Sequence, residues 1–197
     1  MSEPGRAPGT ADRSAGVTVW FTGLSGAGKS TVAGTLFHLL SERGEQAFLL
    51  DGDDLREGLN ADLGFTAEDR AENVRRVGEV ALLFSRAAHV TLVTVISPYA
   101  AGRDAVRQRH GASAVPFVEV HVATPLEVCE DRDPKGLYRR ARAGEIARFT
   151  GVSDPYEPPD APELVLVTEG RSAEACAQEV LDVLAGRSLL GLCARSG

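Results

Sequence analysis

Short apolar runs alternate with stretches of helical periodicity along most of the chain. The runs at residues 17–22, 47–50, 90–96, 117–122 and 164–167 are rich in Val, Leu and aromatic residues and predict five strands. Residues 29–43 and the stretches that begin near 66, 125 and 172 predict helices. Strands that alternate with helices indicate an α/β fold with a doubly wound parallel five-stranded sheet.

The helix that begins near Thr66 has the clearest pattern. The Thr66 hydroxyl is suited to cap the first helical turn. Apolar side chains then recur every three or four positions, at Val74, Val77, Ala81, Phe84 and Ala88. The stripe predicts an amphipathic helix with one apolar face.

Three segments fall outside the alternation. Residues 131–162 are charged, carry Gly and Pro at intervals and are too long for an ordinary connection, so we expect a mobile lid. Residues 1–16 lack the apolar segment of a signal peptide, and we expect a disordered tail. Residues 187–197 form a C-terminal tail, whose apolar part at 189–193 is expected to pack on the sheet or on a second subunit of a homodimer. The domain itself is predicted over residues 17–186.

Composition narrows the class of protein. A chain of 197 residues suits one domain. The net charge of −7 argues against a broad nucleic-acid surface, which needs clustered Lys and Arg. No apolar run is long enough to span a membrane. The three cysteines are odd in number and form no Cys-x-x-Cys pair, so we expect a reducing, cytoplasmic environment without a disulfide framework.

Residues 23–30 match the phosphate-loop pattern G-x-x-x-x-G-K-[ST] and lie between a predicted strand and a predicted helix. The glycines let backbone N–H groups converge on phosphate oxygens, and the helix N-terminus adds positive potential. Lys29 is expected to reach the β- and γ-phosphates of ATP, and Ser30 to bind Mg²⁺. The alternative, a chance glycine turn before a helix, leaves the spacing unexplained. The sequence therefore predicts a P-loop NTPase-type site formed by Gly23, Leu24, Ser25, Gly26, Ala27, Gly28, Lys29, Ser30 and Thr31.

The P-loop alone does not separate a kinase from a GTPase or a motor ATPase. No Asn-Lys-x-Asp tetrapeptide, the guanine-reading motif, occurs in the chain. A motor ATPase is usually larger or carries partner domains. Small size and a lid that excludes water favour a kinase that acts on a small acceptor.

Polar residues that follow the second strand are candidates for the acceptor side. Asp51 and Asp53 fall at the carboxyl edge of the sheet, beside the P-loop, where they can hold Mg²⁺ or orient an attacking hydroxyl. A polar turn that caps the next helix is the alternative. Arg70 and Asn73 are three positions apart on a helix and share a face. Spacing alone favours a solvated charged face for that pair.

Over roughly residues 17 to 186 the chain resembles the adenylylsulfate kinases. The resemblance rests on blocks that recur in order and spacing: Asp51-Gly52-Asp53, Gly58-Leu59-Asn60, Asp62-Leu63-Gly64-Phe65, Asp69-Arg70, Glu72-Asn73, Arg75-Arg76, Ile96-Ser97-Pro98-Tyr99, Thr124-Pro125-Leu126-Glu127, Arg132-Asp133-Pro134-Lys135-Gly136, Ala143-Gly144-Glu145-Ile146 and Phe149-Thr150-Gly151. The resemblance implies that MgATP phosphorylates the 3′-hydroxyl of adenosine 5′-phosphosulfate (APS) to give 3′-phosphoadenosine 5′-phosphosulfate (PAPS).

The resemblance also assigns residues. Arg132 is expected against the adenine of ATP, and Phe65 and Phe149 on the two faces of the APS adenine, where aromatic rings stack well. Mg²⁺ is expected on Ser30 and Asp53. The remaining acceptor contacts that the resemblance implies are Asp53, Arg56, Arg70, Asn73, Ile96, Ser97, Lys135 and Thr150.

For the chemistry we expect in-line transfer, with Lys29 stabilising charge on the γ-phosphoryl group and Asp51 helping to activate the hydroxyl. Bacterial members of the family are often described with a phosphorylated serine at the position of Ser97, and the sequence leaves that route open beside direct transfer. We favour direct transfer, because phosphoryl transfer mainly needs positioning and charge stabilisation.

Three positions depart from the family pattern: Ala100 and Gly102 replace an Arg and an acid, and Asp54 replaces an Asn. They leave open a kinase of a related sulfur-containing adenine nucleotide. A non-catalytic nucleotide-binding subunit is a further alternative, which Lys29, Ser30, Asp51 and Asp53 argue against.

Overall fold

The sheet has five parallel strands, as the sequence predicted. The computed structural model describes residues 16–87 and 89–191. Its strands are β1 (Val17–Thr22), β2 (Ala47–Asp51), β3 (Val90–Thr94), β4 (Phe117–Val122) and β5 (Leu164–Leu166), in the order β2-β3-β1-β4-β5. β3 ends two residues earlier than predicted, so Ile96 and Ser97 lie in the loop that follows it.

Seven helices occur in the described residues, six of them between strands and one after β5. They are α1 (Lys29–Glu42), α2 (Gly52–Glu57), α3 (Ala67–Arg86), α4 (Ala100–Gly111), α5 (Leu126–Arg132), α6 (Leu137–Arg142) and α7 (Ala173–Gly186). Thr66 caps α3 as predicted, in a reciprocal pair with Asp69. The sequence did not predict α4, because two of its three buried residues are polar: Arg103 and His110 beside Val106.

Two apolar clusters cover the two faces of the sheet. Alternate residues of β1 point to opposite faces: Val19 and Phe21 pack in the cluster with α1 and α7, whereas Trp20 packs in the cluster with α3 and α4. The predicted stripe of α3 is the centre of the second cluster, with Val74, Val77 and Ala81 buried. Ala88 lies outside the described residues.

A buried polar chain runs between β1, α3 and α4. His110 Nε2 lies 2.9 Å from Thr18 Oγ1, which in turn lies 2.8 Å from Ser85 Oγ. Ser85 also donates to Thr91 Oγ1 at 2.9 Å, and His110 Nδ1 lies 2.9 Å from Val106 O. These hydrogen bonds pair polar groups that would otherwise be buried in the core without a partner.

Residues 131–162, the predicted lid, contain the end of α5, all of α6 and a bridge between Thr150 and Asp154. The name lid denotes only this segment. The predicted N-terminal tail lies outside the described residues except for Gly16, which donates to Ser85 O. In the C-terminal tail Leu189 and Leu190 pack on the cluster with α1 and α7, so this part lies on its own domain; Cys193 lies outside the described residues. Within the described ranges no helix has the length and apolarity needed to cross a membrane.

Candidate active site

The P-loop joins β1 to α1 and takes a backbone path that glycine permits. Gly23, Gly26 and Gly28 have φ of 145°, 73° and 102°, in the region that side chains disfavour. A Cβ on Gly23 would lie 2.5 Å from the Val122 carbonyl oxygen. The loop therefore depends on its glycines for both conformation and space.

Lys29 folds back over the P-loop. Its ammonium donates to the carbonyl oxygens of Gly23 at 3.0 Å and Leu24 at 2.7 Å. Burial lowers the pKa of Lys29 to about 8, although the nearby Asp51 and Asp53 favour its charged form. The ammonium therefore lies beside Gly23 and Leu24, at the start of the P-loop, where it would bind phosphate oxygens.

Two threonines fix the P-loop from the neighbouring strands. Thr124, after β4, and Thr168, after β5, donate to Ala27 O at 3.0 and 2.8 Å. Arg132 donates to Thr168 Oγ1 at 2.8 Å and to Thr168 O at 3.2 Å. The arginine expected on the adenine of ATP is thus anchored beside the loop.

Asp51 is the carboxylate that contacts the P-loop. It accepts hydrogen bonds from Ser30 Oγ at 2.6 Å, Thr94 Oγ1 at 2.7 Å and Asp53 N at 2.9 Å. Burial acts to raise its pKa, but the hydrogen bonds from Ser30, Thr94 and Asp53 N, together with the charge of Lys135, hold the pKa below the ordinary value. Asp53 is more exposed and forms an ion pair with Lys135 of the lid.

One cavity of about 810 Å³ joins the P-loop to the carboxyl edge of the sheet and the lid. That volume is in the upper part of the range for small-molecule sites. The structure brings almost every predicted site residue to this cavity: Ser25, Gly26, Gly28, Lys29, Ser30, Thr31, Asp51, Asp53, Arg56, Phe65, Arg70, Asn73, Ile96, Ser97, Arg132, Lys135, Phe149 and Thr150. Gly23, Leu24 and Ala27 belong to the loop but do not line the cavity.

At the end away from the P-loop the cavity has aromatic walls supported by arginines. The Arg56 guanidinium lies 4.6 Å from the centre of the exposed Phe65 ring. Arg70 donates to Phe65 O at 3.2 Å and to Arg148 O at 3.0 Å, which ties the start of α3 to the lid. Phe149 is buried edge-on against Tyr138. Both predicted stacking residues therefore face the same space.

Two polar side chains near this end have unused hydrogen-bonding capacity. Thr150 is buried, and its hydroxyl has no protein partner. Asn73 Oδ1 accepts a bond from Asn60 Nδ2 at 3.0 Å, which leaves the Asn73 amide NH₂ for other partners. Leaving a buried hydroxyl unpaired is costly, so Thr150 indicates a polar ligand at this end of the cavity.

The Ser97 hydroxyl is engaged with the core beneath the cavity. Trp20 Nε1 donates to Ser97 Oγ at 3.1 Å, and Ser97 Oγ donates to Thr22 Oγ1 at 2.8 Å. Ser97 is 3% exposed. Its hydroxyl therefore joins the loop after β3 to Trp20 and Thr22 of β1.

The charge of the cavity is opposite to that of the chain. Eight basic side chains and two carboxylates line it, in a protein with a net charge of −7. Sequence reasoning missed three of the basic residues, namely Arg140, Arg148 and Arg171. It also missed the turn after β5, residues 168–173, although the carboxyl end of a strand beside the P-loop is a signal for a binding residue.

The three departures from the family pattern lie off the cavity. Ala100, Gly102 and Asp54 are absent from its lining. Ala100 N, at the start of α4, donates to Glu157 Oε2 at 2.7 Å. A Cβ on Gly102 would lie 3.5 Å from Val74, an ordinary packing distance. None of the three changes the shape of the described cavity directly.

The cavity has a phosphate loop at one end and basic residues with aromatic walls at the other. This arrangement defines a small ATP-dependent phosphotransferase of the P-loop class. The chain belongs to the adenylylsulphate kinase family, whose model matches residues 15–167.

Proteins with about 50% sequence identity to this chain support its assignment to the family. An adenylyl-sulfate kinase of Acaryochloris marina is 52% identical over 175 residues, which cover 87% of this chain and 83% of that protein. One from Clostridium kluyveri is 53% identical over 169 residues, covering 86% and 83%. The solved structure of the Mycobacterium tuberculosis APS kinase CysC, in complex with AMPPNP and APS, superposes with a TM-score of 0.85 at 53% identity and covers 87% of this chain and 98% of that one.

Proposed function

We propose that this protein transfers the γ-phosphate of ATP to the 3′-hydroxyl of APS, giving PAPS and ADP. The observation that carries the proposal is one continuous cavity, which has the P-loop at one end and the Phe65 and Phe149 walls at the other. A solved relative with the same fold holds an ATP analogue and APS together.

The donor end would hold ATP by its phosphates. P-loop N–H groups and Lys29 would bind the phosphate oxygens. Arg132 lies beside the loop, where it would contact the adenine. No cluster of three or more metal-binding side chains occurs in the described part of the chain. A hydroxyl and a carboxylate, Ser30 and Asp51, suit Mg²⁺ that arrives with the nucleotide, because Mg²⁺ takes few protein ligands beside phosphates and water. Bound there, Mg²⁺ would neutralise charge on the transferring phosphoryl group.

The two carboxylates are suited to different roles. Asp51 already accepts three hydrogen bonds and has a lowered pKa, which makes it a poor base but a good metal ligand. Asp53 is exposed to the cavity, and only Lys135 pairs with its side chain among the described residues. We therefore assign the orientation and deprotonation of the 3′-hydroxyl to Asp53, and Asp51 to the metal beside Ser30. This exchanges the roles that the sequence predicted for the two residues.

The acceptor end would hold APS between rings and arginines. Phe65 and Phe149 provide aromatic faces for the adenine, and Arg56 and Arg70 provide positive charge for the phosphosulfate. The Thr150 hydroxyl and the Asn73 amide supply hydrogen bonds. Because the Ser97 hydroxyl is bound to Trp20 and Thr22, we assign direct transfer without a phosphoserine. The lid excludes water, which would otherwise take the phosphoryl group.

The buried free thiols of Cys129 and Cys176 suit a reducing compartment, and we propose the cytoplasm as the site of action.

The proposal is tested by a panel of acceptors. Purified protein with MgATP is offered APS, AMP and adenosine in turn, and ADP release is followed for each. We expect APS to have the highest kcat/KM, because its phosphosulfate offers the arginines of the acceptor end more oxygen atoms than the phosphate of AMP does, and adenosine offers them no anionic group. Lys29→Ala, the matched control, should reduce turnover by about a thousandfold or more. Equal rates with AMP and APS, or unchanged turnover in the variant, would contradict the proposal.

A further inference from the structure

Arg103 lies in α4 beneath the acceptor end of the cavity, and the mechanism above does not use it. It is 2% exposed and does not line the cavity. Its Nη1 donates to Ser97 O at 2.7 Å, and its Nη2 donates to Glu157 O at 2.7 Å. One planar guanidinium thus holds two backbone carbonyl groups that are 60 positions apart in the chain.

The two carbonyl groups belong to the parts that shape the acceptor end. Ser97 and Pro98 form the floor of the cavity, and Glu157 lies in the lid. Glu157 N donates to Pro98 O at 2.8 Å, so the lid is fastened to the floor at two points. Ser97 has φ of 41°, a left-handed conformation that a non-glycine residue keeps only where its surroundings enforce it.

The Arg103 guanidinium is itself held by an ion pair with Glu119. Arg103 Nε lies 2.9 Å from Glu119 Oε1 in β4, with side-chain exposures of 2% and 6%. Arg107 bonds the other Glu119 oxygen at 3.0 Å and also pairs with Glu163. Arg suits this position because its donors form a rigid fork, whereas Lys offers a single nitrogen.

We propose that Arg103 is a positioning residue, which fixes the floor of the acceptor pocket to the lid and thereby sets the affinity for the acceptor nucleotide. The inference rests on the proposed function only in taking APS as the acceptor. The start of the P-loop meets this region, since Gly23 N donates to Ile96 O at 3.5 Å, but the loop also has anchors of its own, Thr124 and Thr168 on Ala27 O. We therefore expect loss of the Arg103 fork to act more strongly on the acceptor nucleotide than on ATP.

The test compares Arg103→Lys with Arg109→Lys, an exposed position of the same helix that pairs with Glu79. Arg103→Lys keeps a positive charge beside Glu119 but cannot reach both carbonyl groups. We expect the KM for APS to rise about tenfold or more, since small misplacements at a binding site have effects of that size. We expect the KM for ATP to stay within about twofold and Arg109→Lys to match the wild type. A Tm that falls while both KM values stay unchanged would overturn the proposal.

Trp20 gives a second readout that needs no substrate. It is the one tryptophan of the chain, and its Nε1 donates to Ser97 Oγ. If Arg103 holds Ser97 in place, Trp20 fluorescence should change in Arg103→Lys and not in Arg109→Lys. Unchanged emission would contradict the link between Arg103 and Ser97. A wild-type protein without activity on APS would contradict the proposed function, and this readout would still test the inference.

Glu119→Gln provides the test if Arg103→Lys does not fold. The amide removes the charge that holds the guanidinium but leaves its two carbonyl hydrogen bonds possible. We expect a smaller rise in the KM for APS, about twofold to fivefold, with the KM for ATP unchanged. An unchanged KM for APS in this variant would overturn the proposal.

Discussion

At the scale of single residues, some roles can be predicted from the sequence and others depend on contacts that only the fold creates. The P-loop spacing is enough to identify Lys29, because the motif depends on local backbone geometry. The division of labour that we propose for Asp51 and Asp53 is not visible in the sequence, since it rests on which carboxylate Ser30 and Thr94 bond. The same holds for Ser97, whose hydroxyl direction follows from Trp20, 77 positions away.

Lys29 makes ATP binding dependent on pH. Its pKa of about 8 in the free protein should rise when phosphates approach, because negative charge favours the ammonium. Binding at pH 8 is then expected to take up about half a proton, and affinity should fall as pH rises above 8. Calorimetry of a non-hydrolysable ATP analogue, in buffers of different ionisation enthalpy, measures the uptake. Lys29→Arg, which stays protonated, should remove the pH dependence. Absence of uptake in the wild type would contradict this account.

His110 makes stability dependent on pH. Val106 O can only accept a hydrogen bond, so Nδ1 of His110 carries the proton in the neutral ring. Burial lowers the pKa of His110 below its usual 6.5. The unfolded chain therefore binds more protons just below pH 6.5, and the unfolding free energy should fall as pH falls, by at most about 1.4 kcal/mol per pH unit.

Urea unfolding between pH 5 and 7.5 measures this slope. His110→Gln should reduce the slope, leaving the part due to the half-buried His121, whose pKa burial also lowers. His38→Gln, at an exposed position of α1, serves as the control for the substitution itself. Equal slopes in all three proteins would show that His110 has no part in it.

At the scale of elements, the helices differ in how far the sequence reveals them. The apolar stripe and the Thr66 cap predicted α3, because its buried face is hydrophobic. α4 was missed, because its buried positions include Arg103 and His110, whose partners lie on other elements. Periodicity detects apolar faces and does not detect buried polar faces whose partners are distant in sequence.

Close packing of α3 on α4 depends on Gly78. A Cβ added there would lie 2.7 Å from Val106 Cγ2. Gly78→Ala should therefore lower the unfolding free energy by about 1 to 3 kcal/mol, as overpacking does in cores. Gly34→Ala in α1, where no atom lies within 4 Å of the added carbon, should instead raise it by up to about 1 kcal/mol. Chemical denaturation of both variants measures the difference, and similar changes of the same sign would contradict the packing argument.

At the scale of the whole molecule, the candidate site residues lie at one edge of the sheet. The P-loop follows β1, Asp51 ends β2, Ser97 follows β3, and Thr168 follows β5, so parallel strands bring distant residues to one cavity. The sequence predicted this edge and most residues on it. It did not predict the basic residues Arg140 and Arg148 of the lid, because their approach depends on how α6 and the following turn fold over the sheet.

The most direct measurement of the central claim is the position of the transferred phosphate. The protein is incubated with MgATP and APS, and the products are identified by ³¹P NMR. We predict ADP and an equal amount of a nucleotide with a new phosphate ester on the 3′-oxygen and an intact phosphosulfate. Release of inorganic phosphate without a new ester, or an ester at any other oxygen, would contradict the account.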